Sequence, residues 1–242
     1  MKKFLFLALA LPTMAFASGG AHLDKAPVNH QDMESLQRGA AVFVNYCLSC
    51  HSAGYMRYSR MSDIGLTEQQ IKDNLLFAAD KPGRLMTVAM RAKDAKEWFG
   101  AAPPDLSVIT RSRGADWVYT YLRTFYRDDT RPSGWNNMVF DKVGMPHVLQ
   151  ELQGHLAPVY RIEQSEEGKS HQVLDHLRLA KPGKITQAEY DALVADLVNY
   201  LAWVGEPAKG SRLTTGLLTL LFLGLVFIAA FYLKKTYWKD VH

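Results

Sequence analysis

Both cysteines of the 242-residue chain stand in one pentapeptide, Cys47-Leu48-Ser49-Cys50-His51. Two thiols separated by two residues can close a disulfide, act as a thiol redox pair, or carry haem through thioether bonds. The histidine directly after the second cysteine favours the third. Cys-x-x-Cys-His is the attachment sequence of c-type haem: the thiols add to the vinyl groups, and the next imidazole is placed to ligate the iron. A thiol oxidoreductase is expected to set its cysteine pair in a βαβ context, and a four-cysteine zinc site has no further thiols to use. Cys47 and Cys50 are therefore the expected attachment points of one haem c, with His51 its proximal ligand.

A six-coordinate haem needs a second axial ligand. Beyond the N-terminal block the chain offers Met33, Met56, Met61, Met86, Met90, Met138 and Met145, besides further histidines. Most methionines fill cores. Met145 is set apart by its loop, Gly144-Met145-Pro146, whose glycine and proline hold the backbone in a fixed non-helical shape. Met138 and His147 are its rivals. A His/Met pair favours a high potential and electron transfer without substrate binding.

These residues need elements to position them. Residues 35–46 suit a helix, with Leu36, Ala40, Phe43 and Val44 on one side. Gly39 lies eight residues before Cys47 and Phe43 four before it. That spacing resembles the N-terminal helix of class I cytochromes c, in which a glycine admits a C-terminal helix at close range. Thr186-Gln187-Ala188-Glu189 is a capping box opening a helix over 186–204, and its Tyr200 is a natural partner. A second capping box at Thr67 opens a helix to about Ala79, and residues 115–126 also suit a helix. Residues 18–34 read as a loose entry segment. Residues 128–158 carry enough glycine and proline to be mostly loop. No convincing alternation of strands is visible, so the exported part reads as mainly α with long loops.

The two ends are distinct. Met1-Lys2-Lys3, an apolar run Phe4 to Leu11 and Ala15-Phe16-Ala17 make a signal peptide over 1–17. Leu213 to Leu233 carries no charge and is bounded by Arg212 and Lys234-Lys235; at 1.5 Å per residue it spans roughly 31 Å, one bilayer crossing. Tyr232, Tyr237 and Trp238 sit where an interfacial aromatic belt belongs. The expected order is a periplasmic domain 18–206, a linker 207–212, an anchor 213–233 and a cytoplasmic tail 234–242. The net charge of +4 comes from these ends. Five of 28 bases and one of 24 acids lie there, which leaves 23 of each between them. A nucleic-acid partner is thereby excluded as an explanation of the charge.

Four stretches together resemble the cytochrome c1 family, the haem subunit of the ubiquinol–cytochrome c reductase (bc1) complex, in its proteobacterial form. They are Cys47 to Ser52 with Tyr55 and Tyr58; Pro103-Pro104-Asp105-Leu106-Ser107 running to Arg111-Ser112-Arg113; Gly144-Met145-Pro146; and the tail anchor. The resemblance covers essentially the whole mature chain. It implies a class I cytochrome c-like haem domain with Met145 as distal ligand, Arg113 paired with a haem propionate and Pro103 near the haem. One departure is Trp98-Phe99-Gly100, where mitochondrial relatives carry asparagines.

The resemblance further implies a one-electron relay from a Rieske iron–sulfur protein to a periplasmic cytochrome c, beside cytochrome b in the lipid of a bacterial inner membrane. No bond chemistry is then asked of this chain. Asp128, Asp129, Glu163, Glu166 and Glu167 read as solvated loop charge, with a docking face for a basic carrier as the alternative. A membrane cytochrome c serving another complex, a tethered thiol–disulfide oxidoreductase and a disulfide-bonded accessory subunit are the competing readings.

Overall fold

A computed structural model of the chain describes residues 22–164 and 170–240. The expected signal peptide 1–17, the start of the entry segment, Glu166, Glu167 and the last two residues of the tail lie outside the described residues.

Helix α1 (Met33–Val42) is capped by Asp32, whose side chain accepts from the Ser35 amide. It widens into a π-turn over Phe43–Cys47, closed by the Leu48 amide on the Phe43 carbonyl, that delivers the first cysteine. Strand β1 (Ala53–Arg57) follows, then a 3₁₀ segment Tyr58–Ile64 and helix α2 (Glu68–Asn74). The Thr67/Gln70 capping box forms as expected. The helix is shorter than the sequence predicts, because the Leu75 and Leu76 amides both close on the Ile71 carbonyl while Leu75 turns into the core.

Next come β2 (Leu85–Met86), α3 (Ala92–Phe99), α4 (Ile109–Ser112) and α5 (Ala115–Arg123). Strands β3 (Phe125–Arg127) and β4 (Trp135–Asn137), the turn α6 (Gln150–Gln153), and strands β5 (Gly154–Gln164) and β6 (Ser170–Pro182) precede the two final helices. Those are α7 (Gln187–Gly205) and α8 (Lys209–Tyr237).

The core is the crossing of α1 and α7. At Gly39 the helix backbones nearly touch: a Cβ there would collide with the Asp196 carbonyl and lie 2.7 Å from the Tyr200 Cβ. Phe43 then meets the Tyr200 ring at 5.7 Å between centroids. The expected pairing of Gly39 with helix 186–204 is thus present, and its reason is steric. Helix α5 packs on the same α7, where the Tyr190 hydroxyl donates to the Leu122 carbonyl at 2.8 Å. The Arg123 guanidinium joins Asp191 and Asp24, each at 2.6 Å.

Two expectations are corrected. Residues 22–32 are not loose: the Asp24 amide donates to Thr120 Oγ1 and the Ala26 amide to Asp116 Oδ1, both at 2.8 Å. Asn199, buried in α7, exchanges two 2.9 Å hydrogen bonds with the Asn29 backbone. Strands also exist, as three two-stranded antiparallel sheets among the described residues: β1–β2, β3–β4 and β5–β6. The longest runs from Gly154↔Pro182 to Gln164↔Ser170, with register shifts between His155 and Leu156 and between Val159 and Tyr160. It occupies the end of what reads as loop, and the β-branched and aromatic run Val159, Tyr160 and Ile162 is its sequence trace. The mainly helical class stands, because these sheets decorate a helical core.

Every residue from Ala208 to Asp240 is exposed. Helix α8 is long and apolar enough to cross a membrane, and its 29 residues extend roughly 43 Å. An unbroken apolar helix with no protein against it requires an apolar surrounding.

Candidate haem site

The pentapeptide forms a tight turn at the end of α1, where the Cys50 and His51 amides both donate to the Cys47 carbonyl, at 3.0 and 2.8 Å. Cys47 is buried and Cys50 half-buried, and both thiols are free. Burial pushes the Cys47 thiol up to about 12. A thiol–disulfide nucleophile needs the reverse, a thiol lowered by a nearby cation or helix N-terminus. Burial of Cys47 disfavours its use as a thiolate, and the two-stranded antiparallel sheets among the described residues supply no βαβ setting for a thiol enzyme.

His51 Nδ1 donates to the Pro104 carbonyl at 2.7 Å. Burial lowers the imidazole's affinity for a proton, and the Pro104 contact partly offsets this. Fixing Nδ1–H on a carbonyl leaves Nε2 as a bare donor with one orientation, the usual arrangement behind a metal-bound histidine. Among the described residues no three His, Cys, Asp or Glu side chains gather as metal ligands. The pentapeptide by itself is therefore no metal cage. Two thiols and one oriented imidazole instead fit a covalently held group that brings its own equatorial nitrogens, and a haem c satisfies that donor set.

The double-proline segment is stitched onto the residues after the motif. The Leu106 amide donates to the Ser52 carbonyl at 2.8 Å. The Gly54 amide donates to Asp105 Oδ2 at 2.8 Å, and the Tyr55 amide to Ser107 Oγ at 3.1 Å. Asp105 Oδ1 also closes a turn on the Ser107 amide at 2.7 Å. Pro103 is half-buried at the start of this brace. Pro104, Asp105 and Ser107 brace the motif through these contacts, and reasoning from the sequence assigned them no role. The Asp-x-Ser turn signature was visible, but its target was not.

Met145 is half-buried among Phe125, Trp135, Val143 and Tyr121. Its sulfur accepts a hydrogen bond from the Tyr121 hydroxyl at 3.4 Å. Gly144 presses on the Phe99 carbonyl, to which a Cβ would come within 3.2 Å. The rival ligands fare differently. His147 is buried between Phe125, stacked at 5.0 Å, and the edge of Trp135 at 5.0 Å, and burial lowers it to about 4. Met56, Met61 and Met86 are buried in the main core, and the Tyr200 hydroxyl lies within hydrogen-bond reach of the sulfurs of Met61 and Met86. Met138 is half-buried and Met33 is exposed.

Arg113 is exposed at the end of α4, with its guanidinium 5.3 Å from the Trp117 ring centre. Among the described residues no carboxylate lies within ion-pair distance of it. Asp128 bonds Thr130 and Asn136, Asp129 pairs with Arg127, and Glu163 pairs with Arg161. Asp128 and Asp129 belong to the β3–β4 turn and Glu163 to the far end of β5, each with a local partner.

The comparisons agree with this geometry. The profile of the Cytochrome C1 family matches residues 23–241. A protein of Allochromatium vinosum named cytochrome c1 is 49% identical, covering 98% of this chain and 97% of its own length. One of Nitrosomonas europaea, named ammonia monooxygenase gamma subunit, is 51% identical over 100% of this chain and 99% of its own. A Bradyrhizobium diazoefficiens protein named cytochrome b/c1 is 26% identical over 97% of this chain but 39% of its own length. With a family match over residues 23–241 and a 49% identical cytochrome c1 covering nearly the whole chain, the chain belongs to the cytochrome c1 family.

Proposed function

We propose that the protein is the electron-relay subunit of a cytochrome bc1 complex, carrying one covalent haem c on Cys47 and Cys50 between His51 and Met145. The observation that carries the reading is His51 Nδ1 committed to the Pro104 carbonyl, which presents Nε2 for ligation. The haem supplies the one-electron couple; the chain's residues bind and orient it and set its potential. Pro104 holds the imidazole's direction, Asp105 and Ser107 hold Pro104, and Tyr121 faces the distal sulfur. Arg113, exposed and without a carboxylate, is free to pair with a propionate, and Pro103 borders the same segment.

The electron arrives from a Rieske iron–sulfur protein and leaves to a periplasmic cytochrome c, while quinol chemistry belongs to cytochrome b. The name of the Bradyrhizobium diazoefficiens relative, whose length well exceeds this chain's share of it, supports the cytochrome b partnership. The topology is a signal peptide 1–17, a periplasmic domain 18–206, a linker 207–212, a single crossing 213–233 in a bacterial inner membrane and a cytoplasmic tail 234–242. Positively charged Lys234 and Lys235 on the inner side agree with it.

The test is a reduced-minus-oxidised spectrum of the purified membrane protein, followed by haem staining after denaturing electrophoresis. The expected result is a c-type α band, haem retained on the chain, and b-type haem in the same preparation. His51→Ala abolishes the low-spin spectrum, and Met145→Leu lowers the potential with haem still attached. Absence of haem refutes the relay. Copurification with an ammonia-oxidising activity instead of b-type haem would assign the chain the role that the Nitrosomonas europaea relative's name describes.

A further inference from the structure

Tyr121 occupies a position that the relay itself does not require. Trp117 and Tyr121 stand one turn apart on α5, and the residues flanking that helix, Arg113 at the end of α4 and Phe125 at the start of β3, continue the same column of contacts. Arg113 lies 5.3 Å from the Trp117 ring centre. Trp117 stacks on Tyr121 at 4.9 Å with 11° between the planes, and Phe125 meets Tyr121 at 5.0 Å and 70°. Packed against both rings, the phenol carries its hydroxyl to 3.4 Å from Met145 Sδ.

A thioether sulfur has two lone pairs. A hydrogen bond to one leaves the other for a metal and draws electron density from the sulfur. We infer that Tyr121 is a positioning residue for the distal ligand: its hydroxyl fixes which lone pair of Met145 is offered to the iron and weakens donation to the ferric state. This rests on the reading of Met145 as that ligand. Weaker donation to the ferric iron favours the ferrous iron, so the hydroxyl raises the reduction potential. The column also ties the distal sulfur to Arg113, so the proposed propionate partner and the distal ligand share one rigid support.

The experiment is a potentiometric titration of the full-length, membrane-derived protein and its Tyr121→Phe variant, which keeps the ring and its stacking. A single hydrogen bond shifts the ferric/ferrous equilibrium roughly three- to tenfold, which is about 30 to 60 mV at 59 mV per decade. The midpoint of Tyr121→Phe falls by that amount, haem stays attached, and the sulfur-to-iron charge-transfer band of the ferric form persists at a shifted position. Tyr119→Phe leaves the midpoint unchanged, since that ring lies against Arg123. An unchanged midpoint in Tyr121→Phe, or an equal fall in Tyr119→Phe, overturns the inference. Met145→Leu separates the two levels. If the charge-transfer band survives in it, the distal-ligand reading has failed and the inference fails with it. If the band is lost there while Tyr121→Phe shows no shift, only the role of the hydroxyl is refuted.

Discussion

Gly39→Ala tests the junction that carries the motif. The added Cβ would collide with the Asp196 carbonyl and lie 2.7 Å from the Tyr200 Cβ. Neither obstacle is the mobile end of a side chain, so α1 and α7 must move apart. Overpacking of this kind costs about 1 to 3 kcal/mol, and backbone contact places it at the upper end. Alanine returns about 1 kcal/mol of helix propensity over glycine. The net loss is about 2 kcal/mol, which for a chain of this size lowers the melting temperature by roughly 4 to 8 °C. Because α1 runs through the Phe43–Cys47 turn into the pentapeptide, the same displacement reduces the fraction of chains that retain stained haem. Thermal melts of the detergent-solubilised protein, with haem stain per chain, measure both. Gly83→Ala is the control, since a Cβ there meets nothing within 4 Å. An undiminished melting temperature in Gly39→Ala would mean that the close crossing does not limit stability, and the steric argument would be wrong.

Other consequences can be measured alongside. Asp105→Ala removes the acceptor of the Gly54 and Ser107 amides; it should cost about 1 to 3 kcal/mol and raise the high-spin fraction as Pro104 loosens behind His51. A melt and spectrum identical to the parent's would show that the brace is not needed. His30 has both ring nitrogens buried without a partner, and burial, then Lys209, lower its pKa from 6.5 while Glu206 opposes them. The unfolded chain thus binds that proton more readily than the folded one, so stability is full above pH 6.5 and falls as pH drops below it. His30→Leu should flatten the acid limb of a plot of melting temperature against pH, and a limb of unchanged slope would assign the loss to other groups. Arg113→Leu should lower the potential, because a cation near a propionate is removed; a potential equal to the parent's counts against the propionate assignment.

The sequence alone determined the parts whose signal is local or covalent. Cys47, Cys50 and His51 are contiguous, so their chemistry needs no fold to be legible. The capping boxes at Thr67 and Thr186 satisfy backbone donors within four residues, and the run Leu213 to Leu233 declares its solvent by composition. Gly39 was legible because its spacing from Cys47 carries the helix crossing with it. What only the tertiary structure decided are contacts between residues distant in the chain. The Pro104 carbonyl reaches His51 across 53 positions, and the Tyr121 hydroxyl finds Met145 across 24. A carbonyl leaves no trace in residue type, and an aromatic run on α5 reads equally as core packing. The β5–β6 hairpin escaped for a similar reason: its stability lies in cross-strand pairing, which a strand's own residues imply only weakly. Composition and spacing could name the donor groups, but the direction of each donor is a property of three-dimensional packing.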